Sequence, residues 1–337
     1  MALVLVVGSV AFSLACVEFA LRVWMPARPG AAPPPLQAPP GLPLVNQVMT
    51  LASPNVVGRL ASGVLYRTNR FGVRGPNFPQ HKPPRTFRVL VIGDSVTMGA
   101  GVAEEDTYAA RIERRLNDPP KDRRHHVINL GIAGLNAGHI MNRLERLGLG
   151  FEPDLIVYGY TVNDIEGPSY QMIEGRPSYA ASLERHAALR AGWRLPAFVK
   201  SRFYSLLELV SPPADSYVHV LDVNYLENPA AVADLGAELD RLAAAAAARD
   251  VCVLLLQHTD LHFLHVFHPF RRHYGVVEAL ARERGFFVQP THSYFTGHRP
   301  PDLWVSLVDP HPNADGHALL AEALWDGLQA LPEHCWR

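Results

Sequence analysis

Charge of one sign, cysteine and repeated segments are what this chain has least of. Its 31 Lys and Arg stand against 32 Asp and Glu, a formal net charge of −1. No global field draws nucleic acid or anionic lipid, and nucleic acid is not an expected partner. The basic clusters at 111–115 and 121–124 are interrupted by acids and read as solvated faces. The three cysteines, Cys16, Cys252 and Cys335, are odd in number and widely spaced. That suggests neither a disulfide framework nor a zinc knuckle. Cys252 lies within the apolar run 251–256 and reads as a buried strand thiol, although a Cys252–Cys335 bridge is conceivable in an oxidising compartment. No internal repeat is present.

Apolar residues, by contrast, make up 48% of the 337 residues and charged ones only 19%. A sizeable core can form, in one large α/β domain or two small ones.

The first seventeen residues carry no charged side chain. As a helix, residues 1–25 would extend roughly 37 Å, enough to cross a bilayer. Glu18 and Arg22 lie four apart on one face near its end, and Trp24 suits an interface. Without a basic flank or an Ala-x-Ala cleavage site, a membrane anchor is favoured over a cleaved signal, with a buried soluble helix as the third reading. Arg22 and Arg28 after the span weakly favour a cytoplasmic C-terminal domain. Residues 26–43 hold eight prolines and read as an extended spacer, the centre of a linker taken as 26–62.

From residue 85 strand and helix alternate. Apolar runs at 88–92, 126–130, 154–158, 251–257 and 286–289 read as buried parallel strands. Helical segments fall at 105–117, 138–148, 230–249, 275–284 and 313–331. This order predicts an α/β fold with a doubly wound, flavodoxin-like, five-stranded parallel sheet and helices on both faces. The domain is placed at 63–337, with an insertion at 165–229 rich in Tyr, Pro and Ser.

Open parallel sheets bind ligands beyond the carboxyl ends of their strands. After the first strand comes Gly93-Asp94-Ser95. Its serine is either a helix cap or a nucleophile at a strand-to-helix turn. After the second, Gly134 is either a turn glycine or a backbone donor to an oxyanion. After the third, Asn163 is either a capping residue or a side-chain donor to that oxyanion. After the fifth, Asp309-Pro310-His311 is either a surface loop or a general base with its orienting acid.

Together these four segments, in this order, resemble the blocks of the SGNH (GDSL-type) hydrolase superfamily. The resemblance spans about residues 63–330. Its lead-in Tyr66-Arg-Thr-Asn-Arg-Phe-Gly-Val-Arg-Gly75 looks like that of membrane-anchored bacterial members. It implies a three-layer α/β/α fold and a serine esterase or acylhydrolase acting on an ester substrate, possible examples being acylated carbohydrate or lipid. Ser95 would be the nucleophile and His311 the base. The N–H groups of Ser95 and Gly134 and the Asn163 amide would form the oxyanion hole. No cofactor and no metal are implied. It also implies a domain outside the cytoplasmic membrane, against the weak charge argument.

One departure stands out. The family's acid lies three residues before its histidine, where this chain has Val308. Asp309 from a shifted loop is the first choice, with Asp302 or a Ser–His dyad left open. The histidines at 258, 262, 265, 268 and 273 read as a pocket wall or lid sooner than a metal site. His258 is a possible substrate-lining residue and His317 the runner-up base. The same residues would also serve an O-acyltransferase acting on a cell-surface polysaccharide, or a non-catalytic carbohydrate-binding protein on the same fold. Oligomeric state is not legible.

Overall fold

The computed structural model describes residues 13–19, 45, 47–120, 122–171, 217–262, 264, 268–306 and 309–337. Five strands form one parallel sheet: β3 (Thr86–Gly93), β4 (Arg124–Asn129), β5 (Leu155–Tyr160), β6 (Cys252–Gln257) and β7 (Phe287–Pro290), in the order β4-β3-β5-β6-β7. They are preceded by an antiparallel pair, β1 (Val57–Arg59) and β2 (Leu65–Arg67), and followed by another, β8 (Trp304–Ser306) and β9 (Asp309–Pro312).

The runs of β-branched and aliphatic residues explain the sheet. In β3, Phe87, Val89 and Val91 enter one core, while Leu90 and Ile92 enter the other. A strand buried on both faces must be apolar in every position, so it reads as a continuous run. One face packs on α3 (Ala137–Arg146), α4 (Pro229–Ala247) and α5 (Arg271–Glu283). The other packs on α2 (Tyr108–Leu116) and α6 (Ala314–Gln329). The helices begin where the sequence supplies caps: Thr107, Asn136, Asn228 and Asn313 each accept a backbone N–H of the first turn.

This is the expected parallel five-stranded sheet with flanking helices. Its switch point lies at β3, where successive strands are added first on one side and then on the other.

Two readings of the sequence change. The linker does not run to residue 62: Val45, Leu51 and Leu60 are buried in the core beside β1 and β2. Their apolar side chains dock that segment on the core. Cys252 is not a free thiol. It is bonded to Cys335, with Cα atoms 5.5 Å apart, because the turn Glu333–Trp336 after α6 returns to the start of β6. The insertion is only partly described, since residues 172–216 lie outside the described set. Its C-terminal end joins the core through Val218, Leu221 and Tyr225.

The spacer at 26–43 and most of the apolar segment 1–25 also lie outside the described residues. Residues 13–19 are helical. Among the described residues no helix is long and apolar enough to cross a membrane.

The bridge closes a loop spanning 83 positions. Cys335→Ser is expected to lower the unfolding free energy by about 2–4 kcal/mol, as loss of a loop constraint on the unfolded chain predicts. Denaturant titration checks this. Reductant should weaken the native chain and leave the variant unchanged.

Candidate active site

Strand β3 ends at Gly93, and the chain turns at once into the single helical turn α1 (Ser95–Met98). Asp94 caps it, its Oδ1 accepting the Val96 N–H at 3.0 Å. Ser95 follows, half-buried at the switch point of the sheet. Gly99 closes the turn in the left-handed region at φ 79°, where a side chain would be strained.

Two neighbours hold this turn in place. Arg74, from the lead-in segment, is buried. Its Nη1 donates to the carbonyls of Met98 and Gly99 at 2.6 and 2.9 Å, and its Nη2 to Val102 at 2.7 Å. The orphan carbonyls at the end of α1 are thus satisfied by a cation, the charge that a helix C-terminus favours. From the other side, Asn129 at the end of β4 donates to the Thr97 carbonyl at 2.7 Å. The loop beyond it approaches so closely that a Cβ on Gly131 would collide with the backbone of Thr97 and Met98.

His311 lies on β9, not on the final helix. The antiparallel pair β8–β9 carries it back over the sheet, and Asn313 then caps α6 through the N–H groups of Asp315 and Gly316. Its Nε2 is 2.9 Å from Ser95 Oγ and its Nδ1 is 2.6 Å from Asp309 Oδ1. Asp309 also accepts the His311 N–H at 3.2 Å. Asp302 is positioned differently: its carbonyl accepts the Asn313 amide at 2.8 Å. The acid in contact with His311 is therefore Asp309, two residues before it. A strand places residues i and i+2 on one side, which makes this spacing workable.

Burial pulls the His311 imidazole down. The hydrogen bond and charge of Asp309, with the charges of Asp94 and Asp260, outweigh it and hold the group above its ordinary value. With Nδ1–H donated to Asp309, Nε2 is free to take the Ser95 proton.

Asn163 sits in the turn Val162–Ile165 after β5. Thr161 and Asp164 cap this turn reciprocally. The Asn163 amide points toward the turn of Ser95 and donates to Asp94 Oδ2 at 3.4 Å. Gly134 lies exposed in the β4–α3 loop at φ 82°. Since β4 and β5 flank β3, the loops of Ser95, Gly134 and Asn163 are neighbours at one end of the sheet.

The other histidines fall away from this group. His258 is 2% exposed and lies against Tyr108 and Gly159, so it does not line a cleft. Burial lowers its imidazole to about 3, and it is neutral. The side chain follows the last pleat of β6 into the sheet's interior, a direction that the strand end alone does not reveal. His317 is buried on α6 and accepts the Tyr108 N–H at 3.3 Å, facing α2 and not Ser95. His273 is paired with Asp222 at 3.0 Å. His268 packs on His292 and Tyr274. His265 lies outside the described residues. Among the described residues, the one cluster with the reach to hold a metal ion is Cys252, His334 and Cys335, whose sulfurs are bonded to each other.

Asp94 and Thr161 drew no attention in the sequence. Thr161 donates to Asp94 Oδ2 at 2.9 Å, and the Ser95 hydroxyl is 3.3 Å from the same oxygen. The available signal was an acid immediately after a buried strand, where a charge survives only if it is hydrogen-bonded.

The model of the GDSL-like lipase/acylhydrolase family matches residues 91–319, more than half of the chain. No curated protein matches. Solved structures with similar backbones include TesA, at 18% identity and TM-score 0.45 over 72% of this chain and 98% of that one. The acetyl xylan esterase AlAXEase matches at 15% identity and TM-score 0.46, over 72% and 100%. A catalytic mutant of Axe2, an acetylxylan esterase from Geobacillus stearothermophilus, matches at 18% and 0.45, over 72% and 94%. Likeness this remote transfers no substrate.

Activity that needs neutral His311 should rise with pH through a midpoint above the ordinary histidine value of about 6.5. Asp309→Asn removes the largest contributions that raise that value, leaving the charges of Asp94 and Asp260 against burial, which lowers it. The acid limb of kcat/KM is therefore expected to move to lower pH while the plateau falls. Full pH profiles of both proteins check the sign. In a separate test, Gly131→Ala should lower kcat through displacement of the Ser95 turn, with little change in KM.

Proposed function

The chain belongs to the GDSL-like lipase/acylhydrolase family, and we propose that it cleaves esters through a Ser95–His311–Asp309 triad. It is an ester-cleaving serine hydrolase. The observation that supports this assignment of residues is the unbroken chain of hydrogen bonds. Ser95 Oγ lies 2.9 Å from His311 Nε2, and His311 Nδ1 lies 2.6 Å from Asp309 Oδ1.

In this mechanism His311 accepts the Ser95 proton as Oγ attacks the acyl carbonyl. The N–H groups of Ser95 and Gly134 and the Asn163 amide receive the developing oxyanion. His311 then protonates the leaving alcohol, and the acyl–Ser95 ester is released by water activated by the same imidazole. Asp309 stays ionised and stabilises the imidazolium.

The proposed substrate is an O-acetyl group on a glycan or another short acyl ester. The same acyl-enzyme could pass its acyl group to a sugar hydroxyl, and product analysis with an added polysaccharide acceptor separates transfer from hydrolysis. We further propose that residues 1–25 tether the domain to a bacterial cytoplasmic membrane on its outer side. Three observations support this reading. The helical residues 13–19 expose Leu14, Val17 and Phe19, a proline-rich spacer follows, and the Cys252–Cys335 bridge needs an oxidising compartment.

Turnover of p-nitrophenyl acetate tests the core of the proposal. Ser95→Ala is expected to lose activity on the order of 10⁴-fold or more. Asn163→Ala should lose about 10²–10³-fold in kcat, the cost of one oxyanion donor. Undiminished turnover in Ser95→Ala would exclude the nucleophile assigned here.

A further inference from the structure

Two carboxylates lie buried behind Asn163, and one hydroxyl stands between them. Asp94 and Asp164 are each 1% exposed. Thr161 Oγ1 is 2.9 Å from Asp94 Oδ2 and 3.2 Å from Asp164 Oδ1. Among the described residues no Lys or Arg side chain hydrogen-bonds either acid. A threonine hydroxyl has one proton, so it can donate to one of the two and not to both. With both acids ionised, one pair of oxygens would face each other lone pair to lone pair, in a place without water to relieve it.

The remaining hydrogen bonds decide between the two acids. Asp164 Oδ2 accepts the Tyr158 hydroxyl at 3.0 Å and the Thr161 N–H at 3.2 Å. Asp164 Oδ1 faces Thr161 Oγ1 and no other polar group among the described residues. Asp94 is surrounded by donors. Its Oδ1 accepts the Val96 N–H at 3.0 Å, and its Oδ2 accepts the Asn163 amide at 3.4 Å besides Thr161. It also caps α1, where a negative charge is favoured, and helps to stabilise protonated His311.

We propose that Asp164 carries a proton on Oδ1 at neutral pH and gives it to Thr161 Oγ1, so that Thr161 donates to an ionised Asp94, which in turn fixes the Asn163 amide beside Ser95. Every polar atom in the group then has a matching partner. Burial, and after it the charge of Asp94, push the Asp164 carboxyl well above its ordinary range, in keeping with this assignment. Asn163 has two amide protons. One is tied to Asp94, and the other is left to meet the substrate oxygen. Asp94, Thr161 and Asp164 are thus positioning residues: they set the direction of a donor and do not touch the substrate. The inference rests on the reading of Asn163 as an oxyanion donor.

The test combines infrared spectroscopy with the kinetics of neutral isosteres. The native chain at neutral pH should show a carboxylic acid C=O band that Asp164→Asn lacks. Because Asn reproduces a neutral acid, Asp164→Asn should keep kcat within about threefold, whereas Asp94→Asn should lose about 10²-fold with KM little changed, as for a misdirected oxyanion donor. Thr161→Val should fall like Asp94→Asn, and Thr161→Ser should recover, with thermal melts confirming that each variant is folded. Absence of a difference band, or the opposite order of kcat in the two asparagine variants, would overturn the assignment. The band is read without substrate. An active Ser95→Ala would therefore defeat the catalytic reading while the band stood, and a missing band would defeat only the proton assignment.

Discussion

One hydrogen bond, 2.9 Å long, joins Ser95 to His311 across 216 positions of sequence. Neither residue can be placed for the other by local structure. The bond exists because the sheet brings the end of β3 beneath the β8–β9 pair, and because each partner is fixed on its own side. The turn of Ser95 is held by the Arg74 guanidinium at one end and the Asp94 carboxylate at the other. His311 is held by Asp309 in front and by the Asn313 cap of α6 behind. An imidazole displaced by an ångström would lose the proton path, so these supports bear directly on chemistry.

The lead-in segment gains a physical meaning from this. Residues 45–75 could be regarded as an approach to the domain, since they precede its sheet. Instead Val45, Leu51, Leu60, Tyr66 and Val73 are buried in the core. Arg74 reaches from there to three carbonyls around the Ser95 turn, its guanidinium resting over the Tyr66 ring. A desolvated guanidinium is costly unless its donors are met, and here backbone carbonyls meet both terminal nitrogens, while Nε has no hydrogen-bond partner among the described residues. Its charge is thereby directed at the C-terminal end of α1, while the N-terminal end carries Asp94.

What was legible in the sequence follows from range. Strands buried on both faces read as continuous apolar runs, and all five were located to within a few residues. Ser95, Asn163 and His311 are legible as candidates because each follows a strand end in a fixed order. The acid behind His311 was harder, because its spacing depends on β9 being a strand, and a four-residue strand in a Pro-flanked loop has little local signature. His258 follows a strand end as the others do, yet it points inward, since the parity of the last pleat decides the face. The Cys252–Cys335 bond and the docking of residues 45–62 depend on tertiary return of the chain, which has no periodicity to read.

The charges around the site also form one system. Asp309 and Asp94 both act on His311, and each accepts hydrogen bonds from neighbouring donors. Two anions beside an imidazole stabilise its protonated form, the form that the proposed attack by Ser95 would generate. The same two anions would oppose the oxyanion that forms at that moment, were no donors set against it. Asp94 resolves the conflict locally, because the amide it binds belongs to Asn163. In the proposed mechanism, the anion that favours the imidazolium would thus also orient the dipole that shields the oxyanion. A third charge on Asp164 would disturb this balance from 1% exposure with no gain in donors, and a buried acid in that position is better neutral.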